Sequence, residues 1–369
     1  MTGPAPSSVG AGEPAAGPRL EALRRLLCDL GDEIRTRVVA HRDRSGIDAM
    51  AEVVDRVEAD VVYAIDRVGE DQVLEFLHRR WPVDQPVRLV MEGIDDHVDT
   101  VVPPAAAAAD VQWILVVDPI DGTRNLMFDK RSAWVLAGLA PARLDVAGRP
   151  VADLPDIVVA AMTEIPTTKQ WRADQLSAVR GCGPAGIHAE GIDVRTGDRQ
   201  HLAPSPSRAR TLDHGFASFS HYLPDGKAWL AALEQVVLDE LVPADAEPRQ
   251  VFEDQYICSA GQIHEVLTGR DRLVGDLRPF ALEALGRPVT LVGHPYDLCT
   301  VLVFTEAGGV FEHPLGGPLV VPIDTTSPCS WVAYANEHLA ALVRPVLARH
   351  LRAAMARPGA GPAVDPAES

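Results

Sequence analysis

The chain has 369 residues, 47% of them hydrophobic and 23% charged, with a formal net charge of -18. That length accommodates one large or two modest domains with a sizeable core, and the acidic balance argues against nucleic acid or an anionic membrane as a partner. Five scattered cysteines without a C-x-x-C pair read as reduced thiols, no apolar run reaches the ~18 residues of a membrane span, and the first residues lack a signal-peptide pattern, so a cytoplasmic location is expected.

Residues 1–18 are rich in Pro, Gly, Ala and Ser and are expected to be disordered, as is the tail 357–369. Leu20, Leu23, Leu26, Leu27, Leu30 and Ile34 recur at helical spacing and predict a helix over 20–39. A second helical pattern starts near Ile47, passes through Val53, Val57, Val61 and Ile65, and continues to Trp81, where Pro82 follows. Short apolar runs at 87–91, 113–117, 133–139 and 157–162 predict strands, with further candidates at 215–218, 310–311 and 331–333. Helices are expected at 228–241, 298–307 and 337–355, and a loop or short helix at 105–109. The order predicts an α/β or α+β layered protein of two subdomains, 19–203 and 204–356, divided near the A-P-S-P-S-R stretch. A site between them is the natural place for chemistry.

The run W-I-L-V-V-D-P-I-D-G-T-R-N carries a buried strand straight into Asp118 and Asp121. Asp, Pro and Gly also make ordinary turns, so this block alone could be one. Its chemistry goes further. Pro119 has no N–H, Ile120 can turn its carbonyl toward both carboxylates, and Gly122 tolerates a positive φ. With Thr123, its amides could face a phosphate. Ligands that are all hard oxygens suit Mg²⁺ rather than zinc.

Two distant segments strengthen that reading. Glu92 ends the apolar run L-V-M, and Asp297 precedes an apolar helix ended by Gly308 and Gly309. Singly, Glu92 is a surface residue and Asp297 a helix cap of roughly 1 kcal/mol. Clustered, four carboxylates would repel one another, and divalent cations resolve that conflict while activating water and a phosphoryl group.

The blocks Asp118-Pro-Ile-Asp-Gly-Thr-Arg-Asn125 and Tyr296-Asp297 with Glu306-Ala-Gly-Gly309 resemble the signatures of the inositol monophosphatase family. The match in order and spacing runs from about residue 20 to 350. The resemblance implies a layered αβαβα sandwich, often a homodimer, and Mg²⁺-dependent hydrolysis of a small phosphorylated polyol by activated water without a phosphoenzyme. It implies a first metal on Glu92, Asp118, the Ile120 carbonyl and Asp121, a second on Asp118, Asp121 and Asp297, and a third, weaker one using Glu92. It further implies catalytic roles for Thr123, Asp66 and Glu92, and phosphate binding by the Gly122 and Thr123 amides.

The departures fall mostly at the substrate end. Gly93 stands where the family has a second glutamate, Tyr296 where it has Trp, Leu126 where it has Phe, and Asp55 where a hairpin lysine is usual. The acidic residue expected seven positions before the late Asp is Thr290, and 269–294 is longer than usual. Phosphate chemistry is therefore expected, inositol selectivity is not. A bisphosphate phosphatase is the runner-up, with Arg270 and Arg272 as its only hint of a second-phosphate site, and a phosphate-binding regulatory module is the alternative of another class. The haloacid-dehalogenase pattern is excluded, because its aspartates lie two apart rather than three. His264, His294 and His313 are ascribed to surface or core, and Trp171, Trp229 and Trp331 to the core.

Overall fold

The computed structural model describes residues 17–44, 53–56, 61–94, 100–242 and 250–357. The ends expected to be disordered lie almost wholly outside these residues, and Pro18 opens the helix Pro18–Arg42. The helix expected from Ile47 is corrected in its first half. Residues 45–52 and 57–60 lie outside the described residues, but β1 (Val53–Arg56) and β2 (Val61–Tyr63) pair antiparallel, with Val53 opposite Tyr63. Paired valines in V-V-D-R-V-E-A-D-V-V-Y satisfy a helical and a strand period alike, and β-branched residues fit a ladder better. The helix itself begins only at Ala64 and runs to Arg80.

The first sheet contains β3 (Val87–Met91), β4 (Thr100–Val102), β5 (Trp113–Asp121) and β6 (Ala133–Pro141). After a small hairpin of β7 (Arg143–Leu144) and β8 (Pro150–Val151) come β9 (Val159–Ile165), β10 (Arg172–Val179), β11 (His188–Asp193) and β12 (Arg199–His201). The eight strands are ordered β12-β11-β10-β9-β6-β5-β3-β4, and the β3–β5 pair is parallel. The second sheet contains β13 (Gly215–Phe219), β14 (Val251–Phe252), β15 (Asp271–Asp276), β16 (Val310–Glu312) and β17 (Trp331–Tyr334) in the order β14-β13-β15-β17-β16.

Helices sandwich both sheets. Pro18–Arg42 and Ala64–Arg80 cover the outer face of the first sheet, and Ser259–Leu267 and Val301–Glu306 lie between the sheets. Lys227–Leu241, Arg278–Ala284 and Glu337–Met355 cover the second sheet from outside. The result is a five-layered αβαβα sandwich. Strand β5 shows why it is stable: all nine residues are buried, with Ile114 and Val116 in the core between the sheets and Trp113, Leu115 and Val117 in the core under the outer helices. Side chains alternate across a strand, so a sheet covered on both faces needs a continuous apolar run.

Candidate active site

Two aspartates three apart on a regular strand would point to opposite faces. Here the β5–β6 register slips after Asp118, opposite Leu136, so that Asp121 pairs with Trp134. Pro119 cannot donate to the ladder, and the slip occurs there. Both carboxylates consequently meet on one side. Asp118 Oδ1 accepts the Ile120 N–H at 2.9 Å. The Asp121 carboxylate accepts the Ala260 N–H at 2.6 Å and the Ser259 N–H at 3.3 Å, so it caps the helix Ser259–Leu267 from another segment.

Asp297 arrives on a short 3-10 turn, Tyr296–Leu298. Gly138 in β6 allows that turn to lie on the sheet, because a Cβ there would stand 2.6 Å from the Cys299 carbonyl oxygen. Carboxylate oxygens of Asp118, Asp121 and Asp297 lie within 4.8 Å of one another. Glu92 is not in that close triad. It follows β3, whose Met91 is in register with Val117 of β5, and lines the same cavity. Gly122, at φ +94°, then turns the chain into the helix Thr123–Met127. The Thr123 hydroxyl lies 2.8 Å from Asp66 Oδ1 and 2.9 Å from the Ile120 carbonyl oxygen. Asp66 in turn accepts the Tyr63 N–H at 2.8 Å, which fixes its carboxylate at the start of the helix Ala64–Arg80.

These like charges act on one another across the cavity. Burial pushes the Asp118 carboxyl well above the usual carboxylate range, and the neighbouring charges of Glu92, Asp121 and Asp297 push it further. Burial likewise raises Asp121 to about 6, against the amides of Ala260 and Ser259, which favour its ionised form.

No protein-family model matches the sequence, and no curated protein matches it. Solved structures do. SuhB from Bartonella henselae is 18% identical with a TM-score of 0.57, over 88% of this chain and 98% of that one. SuhB from Mycobacterium tuberculosis is 16% identical with a TM-score of 0.55, over 89% of this chain and 96% of that one. An inositol monophosphatase from Anabaena is 15% identical with a TM-score of 0.54, over 90% and 97%. The chain has the inositol monophosphatase fold.

On that fold the expected site residues fall together: Glu92, Asp118, Ile120, Asp121, Gly122, Thr123 and Asp297 line one cavity of about 160 Å³, with Asp66 behind Thr123. Other candidates fall elsewhere. Arg272 donates to the carbonyls of Thr211, Asp213 and His214, and Arg270 pairs with Glu265 on a different cleft. Thr290 lines a neighbouring hollow. His264 packs on Trp134, His294 on Tyr296 and His313 on Phe280, none of them on the cavity wall. Trp229 and Trp331 are core residues, but Trp171 is 54% exposed, a correction: it ends the loop before β10 and lies under the Arg195 guanidinium.

Three residues escaped the sequence reading. Tyr222 and Arg278 line the cavity from the segments that follow β13 and β15 of the second sheet. Glu70 brings its buried carboxylate against Gly93, whose Cβ would stand 2.1 Å from Glu70 Oε1. The missing second glutamate thus leaves a space that a carboxylate from the helix Ala64–Arg80 fills. Spacing gives a signal for Glu70 alone, one helical turn beyond Asp66.

Proposed function

We propose that this chain is a divalent-cation-dependent phosphomonoesterase that hydrolyses a small phosphorylated polyol to an alcohol and inorganic phosphate. The observation that carries the reading is the triad of buried Asp118 and Asp121 with half-buried Asp297, and Glu92 on the same cavity, the two buried carboxylates held by backbone donors. Buried carboxylates at this spacing are costly unless a cation neutralises them. Their hard-oxygen donors fit Mg²⁺.

Glu92, Asp118, the Ile120 carbonyl and Asp121 would hold one ion, and Asp118, Asp121 and Asp297 a second. The ions would supply Lewis-acid polarisation of the phosphoryl oxygens and acidify a water. The remaining work belongs to the chain. Thr123 accepts a hydrogen bond from the attacking water and takes its proton as it passes its own hydroxyl proton to the Asp66 carboxylate, which becomes neutral. The Thr123 amide, at the first position of a helix, has no intrahelical acceptor, and with the Gly122 amide it orients the phosphate. The Thr123–Asp66 pair favours catalysis over a phosphate-binding module, since simple binding requires no base. A homodimer belongs to the same proposal and rests on the resemblance, and a cytoplasmic setting rests on the scattered cysteines and the sequence pattern.

A phosphate-release screen over sugar, cyclitol and nucleotide monophosphates, with Mg²⁺ and with EDTA, tests it. Release confined to the Mg²⁺ arm is expected. Failure on every phosphate would turn the reading toward the binding module.

A further inference from the structure

The wall facing the carboxylates is built by Tyr222 and Arg278, for which the phosphate chemistry above has no use. Tyr222 stands three residues beyond the end of β13, near enough to Asp121 and Asp297 for their charges to act on its phenol. Among the described residues its hydroxyl has no hydrogen-bond partner, although the side chain is half-buried on the cavity wall. Its ring is fixed from behind. The Arg278 guanidinium lies 4.7 Å from the ring centroid. Arg278 is itself clamped: Nε donates to Asp276 Oδ1 at 2.9 Å, Nη2 to Asp276 Oδ2 at 2.5 Å, and Nη1 to the Leu291 carbonyl at 2.5 Å. Asp276 and Arg278 are both buried, so their charges cancel within the wall.

At Tyr222 the wall presents a neutral hydroxyl, because the Arg278 charge beside it is paired with Asp276, while the other cation of the cavity, Arg124, lies on the Thr123 side. We propose that Tyr222 is a specificity-determining residue whose hydroxyl hydrogen-bonds a hydroxyl of the leaving group, selecting uncharged polyol monophosphates over bisphosphates, with Asp276 and Arg278 as its positioning residues. The assignment rests on the phosphomonoesterase reading. Burial raises the Tyr222 phenol, so it remains a neutral donor throughout the working pH range. An unpaired hydroxyl beside a substrate hydroxyl discriminates through the bond it can make or lose.

The test is steady-state kinetics of the full chain with Mg²⁺, comparing hexitol and cyclitol monophosphates with 4-nitrophenyl phosphate, whose leaving group carries no aliphatic hydroxyl. In Tyr222→Phe the ratio of kcat/KM for the best polyol phosphate to that for 4-nitrophenyl phosphate should fall roughly ten-fold, mainly through KM. Arg278→Lys, which loses the planar clamp but keeps the charge, should move the ratio in the same direction. An unchanged ratio in Tyr222→Phe, with both substrates turned over, overturns the role of Tyr222 and leaves the phosphomonoesterase reading standing. Turnover of neither substrate by the wild-type chain overturns both. A bisphosphate preferred to every polyol monophosphate also overturns the assignment.

Discussion

The Thr123 hydroxyl and Asp66 Oδ1 stand 2.8 Å apart across 57 residues of sequence, joining the turn after β5 to the first turn of the helix Ala64–Arg80. Neither position needs the other for its own local structure. Thr123 could begin its short helix without a carboxylate, and Asp66 already binds the Tyr63 amide. In the proposed reaction the contact serves as the proton path, placed where the outer helical layer and the first sheet meet at the carboxylate cavity.

Thr123→Ala should lower kcat by roughly 100-fold with little change in KM, because general-base assistance contributes about 10²–10⁴ and acts on the reacting water rather than on binding. Thr123→Ser, which keeps the hydroxyl, should recover most of the rate. Steady-state kinetics on the best substrate checks both. Equal losses in Ala and Ser variants would assign Thr123 to packing instead.

The carboxylates also make the metal-free protein sensitive to pH. Asp121 has its folded value raised from 3.8 to about 6, and Asp118 is raised as well. Between these values the folded state binds more protons than the unfolded one, so stability falls as pH rises through that window. With EDTA present, the melting temperature should thus be higher near pH 5 than at pH 7.5 for this site's contribution. Mg²⁺ should raise it at pH 7.5 and do so less at pH 5, where protons compete. Asp118→Asn should flatten the pH dependence, raise the metal-free melting temperature at pH 7.5 and remove activity. Thermal melts over pH with EDTA and with Mg²⁺ measure all of this.

Gly122 is held at φ +94°, and a Cβ there would lie 3.1 Å from Cys258 Cβ. Gly122→Ala should cost about 1–2 kcal/mol from the left-handed backbone alone. It should also displace the Cys258–Ala260 segment that donates to Asp121, so activity should fall more steeply than stability. Denaturant melts together with kcat/KM would separate the two effects.

Arg278 and Asp276 form a buried pair, and removing one partner strands the other. Arg278→Met should destabilise the fold by roughly 3–5 kcal/mol, and adding Asp276→Leu should recover much of that loss. Equilibrium unfolding of the two variants decides the matter. A double variant no more stable than the single one would show that the pair's hydrogen bonds to the backbone carry its contribution.

The sequence made the carboxylate side of the cavity legible and the Tyr222 and Arg278 wall opaque, for physical reasons. Strands β3, β5 and β6 are buried along nearly their whole length and so appear as apolar runs, broken in β3 only by Arg88, and β3 and β5 run directly into Glu92 and into Asp118 and Asp121. Strand β10 is as deeply buried, yet it reads R-A-D-Q-L-S-A-V and escaped notice. Two of its polar residues are satisfied internally: Gln175 Nε2 donates to the Cys28 carbonyl at 3.0 Å, and Ser177 Oγ accepts from Arg24 at 2.7 Å. The hairpin before Asp66 was hidden by valine pairs that suit two periods. Tyr222 and Arg278 belong to no motif, and only the folding of 269–294 against the end of β13 brings them together. The fold-level likeness to SuhB structures at 18% identity or less carries no information about these wall residues.

The most direct test of the account is phosphate release at pH 7.5 by the wild-type chain and by Asp121→Asn, each titrated with Mg²⁺ from an EDTA-treated start. Saturable activation by Mg²⁺ is expected in the wild type, none without it, and a loss of at least about 1,000-fold in the variant at every Mg²⁺ concentration. Undiminished release in EDTA, or by Asp121→Asn, would contradict it.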